Sequence, residues 1–159
     1  MEMQHLENLI SASIKRIQED KIDVYSYALY FDHESKRRLS ICIDTKDNSR
    51  RVVNQSNQFT ARYFKKYLEE EDFESLKTFS SNSGRSYSLG DFNYRNVTSF
   101  EHQEALDFSD LYILRAIKTI TSSQDEITRF SLNPEEVLFS CSTKDDEYGV
   151  SWFRLTTNA

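Results

Sequence analysis

The segment that most restricts the fold is Ile22 to Phe31, IDVYSYALYF. It is rich in β-branched and aromatic residues at both odd and even positions. A strand facing water on one side alternates apolar and polar residues, whereas one apolar on both faces belongs inside a sheet with cover above and below. Asp32-His33-Glu34-Ser35 then supplies turn residues. After it Leu39, Ile41 and Ile43 alternate with Ser40, Cys42 and Asp44, giving a hairpin with one polar-leaning face. A second hairpin follows near the end. Val137, Phe139, Cys141 and Thr143 alternate, Lys144 to Gly149 turn, and Val150, Trp152 and Arg154 begin the return.

Between and before these lie helical periods. Leu6, Leu9, Ile10, Ile14 and Ile17 predict an amphipathic helix over about 3–20. Phe59, Tyr63, Phe64, Tyr67 and Leu68 predict a second over Asn57–Glu71, and Phe73, Leu76 and Phe79 a short continuation. Leu106, Ile113, Ile117 and Ile120 predict a long helix over about Phe100–Ser122. Ser80 to Asn96 has little periodicity and is expected to be a loop unusually rich in aromatic residues. The order helix, hairpin, helices, long helix, hairpin predicts an α+β fold, with an antiparallel sheet built from the two hairpins and helices packed on one face. With no Pro/Gly/Ser-rich linker and no internal repeat, residues 1–159 are expected to form a single domain.

Glycine usage narrows the chemistry. A phosphate-cradling loop or dinucleotide turn needs clustered glycines, so that backbone N–H groups can approach the phosphates. This chain has 3 Gly, at 84, 90 and 149, all isolated. His5, His33 and His102 form no i, i+4 pair and no HExxH pattern, so each is expected to be a lone surface residue, with no metal or cofactor bound. Cys42 and Cys141 fall inside strand-like runs, where thiols are usually buried and inert; a Cys–His nucleophile pair would require tertiary proximity. Whether the two cysteines lie close in space is not fixed by sequence. Glu19-Asp20-Lys21 and Asp44-Thr45-Lys46 mimic the acid-x-Lys element of some metal nucleases, but the expectation for both is a solvated turn.

The net charge is -6. Residues 1–80 hold 13 Lys+Arg against 14 Asp+Glu and residues 81–159 hold 7 against 12, so -1 and -5 make up the total. Such a surface disfavours general nucleic-acid binding and favours a basic partner. Two acidic runs stand out, Glu69-Glu70-Glu71-Asp72 at the close of the second helix and Asp145-Asp146-Glu147 in the last turn. The first opposes the helix macrodipole, a local cost sometimes kept for a partner. Met1 to Asp20 has scattered charges and no apolar stretch like that of a secretory signal, and no segment reaches the roughly 20 apolar residues of a membrane span. A cytoplasmic, reducing environment is the expectation.

The aromatic loop carries a resemblance. Arg85-Ser86-Tyr87-Ser88-Leu89-Gly90-Asp91-Phe92-Asn93-Tyr94 resembles the Arg-Trp-Ser-x-x-Glu-Trp-x-Tyr signature of an uncharacterised bacterial domain family. Tyr87 and Phe92 stand where tryptophans are usual, Asp91 where Glu is, and one extra residue follows Arg85. The strand Tyr27-Ala28-Leu29-Tyr30-Phe31-Asp32 and the closing stretches Val137-Leu138-Phe139-Ser140 and Leu155-Thr156-Thr157-Asn158 are also similar. Members of that family look like immunity proteins encoded beside polymorphic or contact-dependent toxins. The resemblance therefore implies a cytoplasmic binder of a cognate toxin C-terminal domain, basic in charge, without catalytic residues, as a monomer or weak homodimer. The candidate contacts are Glu69, Glu70, Glu71, Asp72, Tyr87, Asp91, Tyr94, Asp145, Asp146 and Glu147. Two alternatives stay open: a small enzyme or ligand-binding domain with Arg85, Asp91 and Tyr94 in one site, and a self-associating scaffold.

Overall fold

In the computed structural model the described residues are 2–32, 34–35, 37–82, 84–106, 108–142 and 149–156. Helix α1 (Glu2–Asp20) leads into strands β1 (Val24–Phe31) and β2 (Arg38–Thr45), followed by helices α2 (Lys46–Glu69) and α3 (Phe73–Leu76). Then come β3 (Tyr94–Glu101), α4 (Asp110–Ser122), α5 (Gln124–Ile127), β4 (Leu138–Ser142) and β5 (Val150–Phe153). The sheet order is β3-β2-β1-β4-β5, which puts the doubly apolar segment at its centre.

The two expected hairpins are present, with Tyr27 opposite Ile43 in one and Phe139 opposite Trp152 in the other. They meet along β1 and β4, which run parallel with Tyr27 beside Phe139, so the sheet is mixed and not purely antiparallel. Parallel neighbours need a long crossover between them. Here everything from β2 to α5 supplies it, which is why hairpin patterns alone gave no hint of the pairing.

Strand pleating sorts the core into two unequal layers. Tyr27, Leu29 and Phe31 of β1, Leu39, Ile41 and Ile43 of β2, and Phe139 and Cys141 of β4 face one side, where they bury against α1, α4 and α5. The α1 stripe is the expected one, with Ser13 in its midst. The Ser13 hydroxyl lies 2.7 Å from both the Tyr27 hydroxyl and the Ile10 carbonyl, satisfying the one polar group that Tyr27 carries into the core. The alternate positions are mostly small, with Ser26 and Ala28 on β1, Ser40 and Cys42 on β2, and Ser140 on β4, all buried, beside the larger Tyr30 and Leu138. The small ones are too short to pack a helix layer. The segment 85–93 covers this face instead, seating Leu89 and Phe92 on Ala28 and Cys42.

Three element boundaries differ from the periodic reading, each for a local reason. Helix α2 starts at Lys46 and not Asn57, because Thr45 ends β2 and caps α2 at once, its hydroxyl accepting from the Asn48 N–H. The first three turns, KDNSRRVVNQS, hold too few apolar residues to show a period. The 94–101 stretch, divided between a loop and a helix in the sequence reading, is strand β3; its pairing with β2 shifts register between Ile41 and Ile43, and Asn96 takes φ 51. That irregularity removes the alternation that marks a strand. Helix α4 accordingly begins at Asp110, capped by the Ser109 hydroxyl on the Tyr112 N–H.

Cys42 and Cys141 are free and buried in different layers, on opposite faces of the sheet with β1 between their strands. Burial pushes the Cys141 thiol up to about 12 and raises that of Cys42, so both are held as unreactive thiols.

The central layer and the outer half of α2 should respond differently to truncation. Phe139→Ala, at a fully buried ring packed against Tyr27 and Trp152, is expected to cost about 3–5 kcal/mol. Phe64→Ala, on a ring 43% exposed, should cost about 0.5 kcal/mol or less. Urea unfolding of both variants measures the contrast.

Candidate interaction surfaces

Two places on the molecule stand apart from the main apolar core, one a buried polar network and the other an exposed apolar stretch of helix. The first surrounds Arg85. The β1–β2 register shifts between Val24 and Ser26, so Tyr25 sits at an irregularity that lets its ring meet the same loop as Ser26 does. The Arg85 guanidinium lies 3.9 Å from the Tyr25 ring centroid and 5.5 Å from that of Phe153. Its Nη1 donates to the Tyr25 carbonyl at 2.8 Å and the Ser26 hydroxyl at 3.3 Å, and its Nη2 to the Glu136 carbonyl at 2.5 Å. Only 8% exposed, Arg85 thus joins loop, central strand and the turn before β4 through a planar fork that Lys cannot copy. Gly84 precedes it at φ +93, a left-handed conformation open to glycine at no steric cost.

Asp44 anchors the same loop from the other end. The expectation of a solvated turn at Asp44-Thr45-Lys46 is overturned, since Asp44 is fully buried. Its Oδ1 accepts from Asn48 Nδ2 at 2.8 Å and the Asn93 N–H at 3.3 Å. Asn48 Nδ2 also donates to the Asp91 carbonyl at 2.8 Å, and the Ser86 N–H donates to Ser49 Oγ at 2.7 Å. Asp44 Oδ2 has no hydrogen-bond partner among the described residues. Burial therefore raises the Asp44 carboxyl above the usual range, with the hydrogen bonds from Asn48 and Asn93 offsetting only part of that. Glu19-Asp20-Lys21 does match its expectation: all three are exposed at the end of α1, with Arg16 Nε 2.6 Å from Asp20.

Arg85, Asp91 and Tyr94 do not converge. Arg85 lines a pocket with Lys46 and Arg50, whereas Tyr94 lines a separate groove with Arg16 and Arg95 and packs against the main core. Asp91 and Tyr87 are both exposed on the covering loop. The histidines are less solitary than their spacing implies. His5 stacks on Phe100 at 4.2 Å, and His102 approaches His5 to 6.4 Å. No group of three or more His, Cys, Asp or Glu able to hold a metal occurs among the described residues. His33, Asp145, Asp146 and Glu147 lie outside the described residues.

The second place is the outer half of α2. Only Asn48, Ser49 and Val53 of its 24 residues are buried, all in the first two turns or so. The rest projects, held along one side by Asn57, whose amide exchanges two hydrogen bonds of 2.8 Å with the Asn82 backbone. Phe59, Tyr63 and Tyr67, spaced i, i+4, i+8, form a ladder of rings that ends on Phe79. Beside it Phe64 and Leu68 form a second row, and Phe73 of α3 extends the ridge beyond the tip. Phe59 is 60% exposed, Leu68 56% and Phe73 68%.

The acidic run sits at the end of this ridge, and the helix partly answers it. Glu69 lies 3.9 Å from Lys65 and Glu70 4.0 Å from Lys66, at i, i+4 spacing on open surface. Glu71 takes φ 55 as the chain turns. Asp72 caps α3, accepting from Ser75 N–H at 3.1 Å and Ser75 Oγ at 2.7 Å, which lowers its carboxyl below the usual range. The predicted helix over Asn57–Glu71 already sets Lys65 and Lys66 four residues before Glu69 and Glu70, so these pairs follow from sequence spacing, whereas the Asp72 cap depends on α3.

The network around Asp44 fixes how stability varies with pH. A carboxyl raised in the folded state binds its proton more tightly there than when unfolded. Asp44 therefore adds stability as pH falls from neutral towards the unfolded value of about 3.9. Asp32, Asp72 and Glu136, all lowered, act oppositely once pH drops below about 4. The Asp44 contribution to stability in urea should thus grow as pH falls from neutral towards about 4, and Asp44→Asn should remove that gain.

The chain matches no protein-family model, no curated protein and no solved structure.

Proposed function

We propose that this chain is a protein-binding inhibitor of the immunity type, which captures a basic toxin domain through the projecting half of α2. The observation that carries this reading is the ridge of Phe59, Tyr63, Phe64, Leu68 and Phe73, large apolar groups left open to water on a helix that the core does not need. Large exposed apolar residues concentrated on one stretch of helix mark contact sites, and aromatic residues are the usual anchors of binding energy. The acids at 69–72 and the net charge of -6 give the partner its sign. The resemblance of the 85–94 segment to immunity proteins supports the same role.

Anchors and charges have different jobs in such an interface. Rings on a preformed helix lose little freedom on binding, so they would set the lifetime of the complex. Exposed acids, half-answered by Lys65 and Lys66, would act mainly on encounter.

The test uses the product of the neighbouring gene as the candidate partner. Replacing Phe59, Phe64 and Leu68 together by Ala should weaken the complex by about a hundredfold or more while leaving the fold intact. Glu70→Lys should slow association several-fold at low salt, with little effect on dissociation. An unchanged Kd for the triple variant would remove the ridge from the interface. Light scattering that showed a tight dimer of the chain alone, lost in the same variant, would assign the ridge to self-association instead.

A further inference from the structure

A concave pocket of about 490 Å³ opens where α2 begins, and its walls include Tyr25, Lys46, Arg50, Arg85, Glu136 and Phe153. It lies more than 20 residues along α2 from the acidic tip, roughly 30 Å at 1.5 Å per residue. Lys46 and Arg50 are spaced i, i+4 and so stand one above the other on the same helix face. Arg85 faces them from the loop, held in place by its three hydrogen bonds and the Tyr25 ring.

Three cations thus share a small space with two carboxylates, Glu135 and Glu136. Lys46 Nζ donates to Glu136 Oε2 at 2.5 Å. Glu136 is held below the usual range first by that bond and then by the charges of Lys46, Arg85 and Arg50. Glu135, on the same wall, has a cation of its own in Arg154, whose Nη1 lies 3.3 Å away, so the three pocket cations still exceed the carboxylate left to them. Arg50 is exposed and forms no ion pair or hydrogen bond among the described residues. The positive end of the α2 macrodipole adds to this excess, in a chain whose net charge is negative. Phe153, 55% exposed, supplies an uncovered ring on the wall.

Glu136 behaves as a tethered anion in this arrangement. A free carboxylate would gain nothing over it, being of equal charge and paying the entropy of association. A phosphate dianion differs, since it offers more charge and three acceptor oxygens to cations that approach from different sides. We propose that the pocket is a binding site for a phosphate monoester of a small aromatic compound, with the phosphate displacing the Glu136 carboxylate from Lys46 and bridging to Arg50, and the ring lying against Phe153. The site is separate from the α2 ridge and stands or falls independently of it.

Phenyl phosphate and inorganic phosphate, titrated into the whole chain at low ionic strength, provide the test by calorimetry and by amide NMR shifts. Saturable shifts are expected at Lys46, Gly84, Arg85 and Phe153, with phenyl phosphate binding several-fold tighter than inorganic phosphate. Glu136→Gln removes the internal competitor and should tighten both by about tenfold; Arg50→Gln should weaken both by about tenfold. Absence of saturable shifts in wild type and Glu136→Gln alike would overturn the proposal, as would binding indifferent to Arg50→Gln. Equal affinities for the two probes would overturn the aromatic half of it. Both positions are exposed, so the variants retain the fold, and their thermal melting confirms it.

Discussion

The structure depends on how one buried guanidinium is held. One face of the sheet is lined mainly by small residues, and the 85–93 segment covers its middle by seating Leu89 and Phe92 on Ala28 and Cys42. That segment has no regular secondary structure beyond a single turn of 3₁₀-helix at Leu89–Asp91, so its own backbone hydrogen bonds cannot fix it. Arg85 does so by reaching the Tyr25 and Glu136 carbonyls, tying loop, central strand and the approach to β4 at one point. Asp44 and Asn48 hold the other end through Asn93 and Asp91. Both anchors bury charge, which costs free energy unless hydrogen bonds compensate. The sheet face accepts that cost in exchange for cover that an apolar layer would otherwise supply.

The same anchors shape the surface. Because Asn48 and Ser49 bond to the loop, the first turns of α2 are committed to the domain, while the remaining turns leave it. A helix of this length with its apolar residues on the outside is poorly stabilised by propensity alone, so its exposed ridge is not accounted for by folding. Arg85, fixed in the loop, also brings its charge to within the field of Lys46 and Arg50. One local solution to a packing problem therefore sets up both surfaces, the apolar ridge at the far end of α2 and the cationic pocket at its start.

Much of this architecture was legible in the sequence, and the parts that were not share a cause. The α1 stripe, the β1–β2 hairpin and the β4–β5 hairpin are local patterns, and they appear where their periods place them. The β1–β4 pairing joins residues more than 100 positions apart, as Tyr27 and Phe139 are, and no local period encodes it. Strand β3 was hidden by the irregularity near Asn96, and the start of α2 by a polar run whose burial comes only from contact with the loop. The acidic tip was visible, with its lysine partners four residues earlier in the same predicted helix, whereas the Asp72 cap needed α3 to be in place. The pocket was out of reach for the same reason, since residues 25, 46, 50, 85, 136 and 153 have no relation until the chain folds.

The working surface proposed for this chain is the projecting half of α2. Hydrogen–deuterium exchange of the chain, alone and with the product of the neighbouring gene, tests this directly. The account predicts new protection concentrated over residues 57–76, with the central strands unchanged because they are already protected. Protection that spared α2 and fell on the 85–94 loop or on β3 would contradict it.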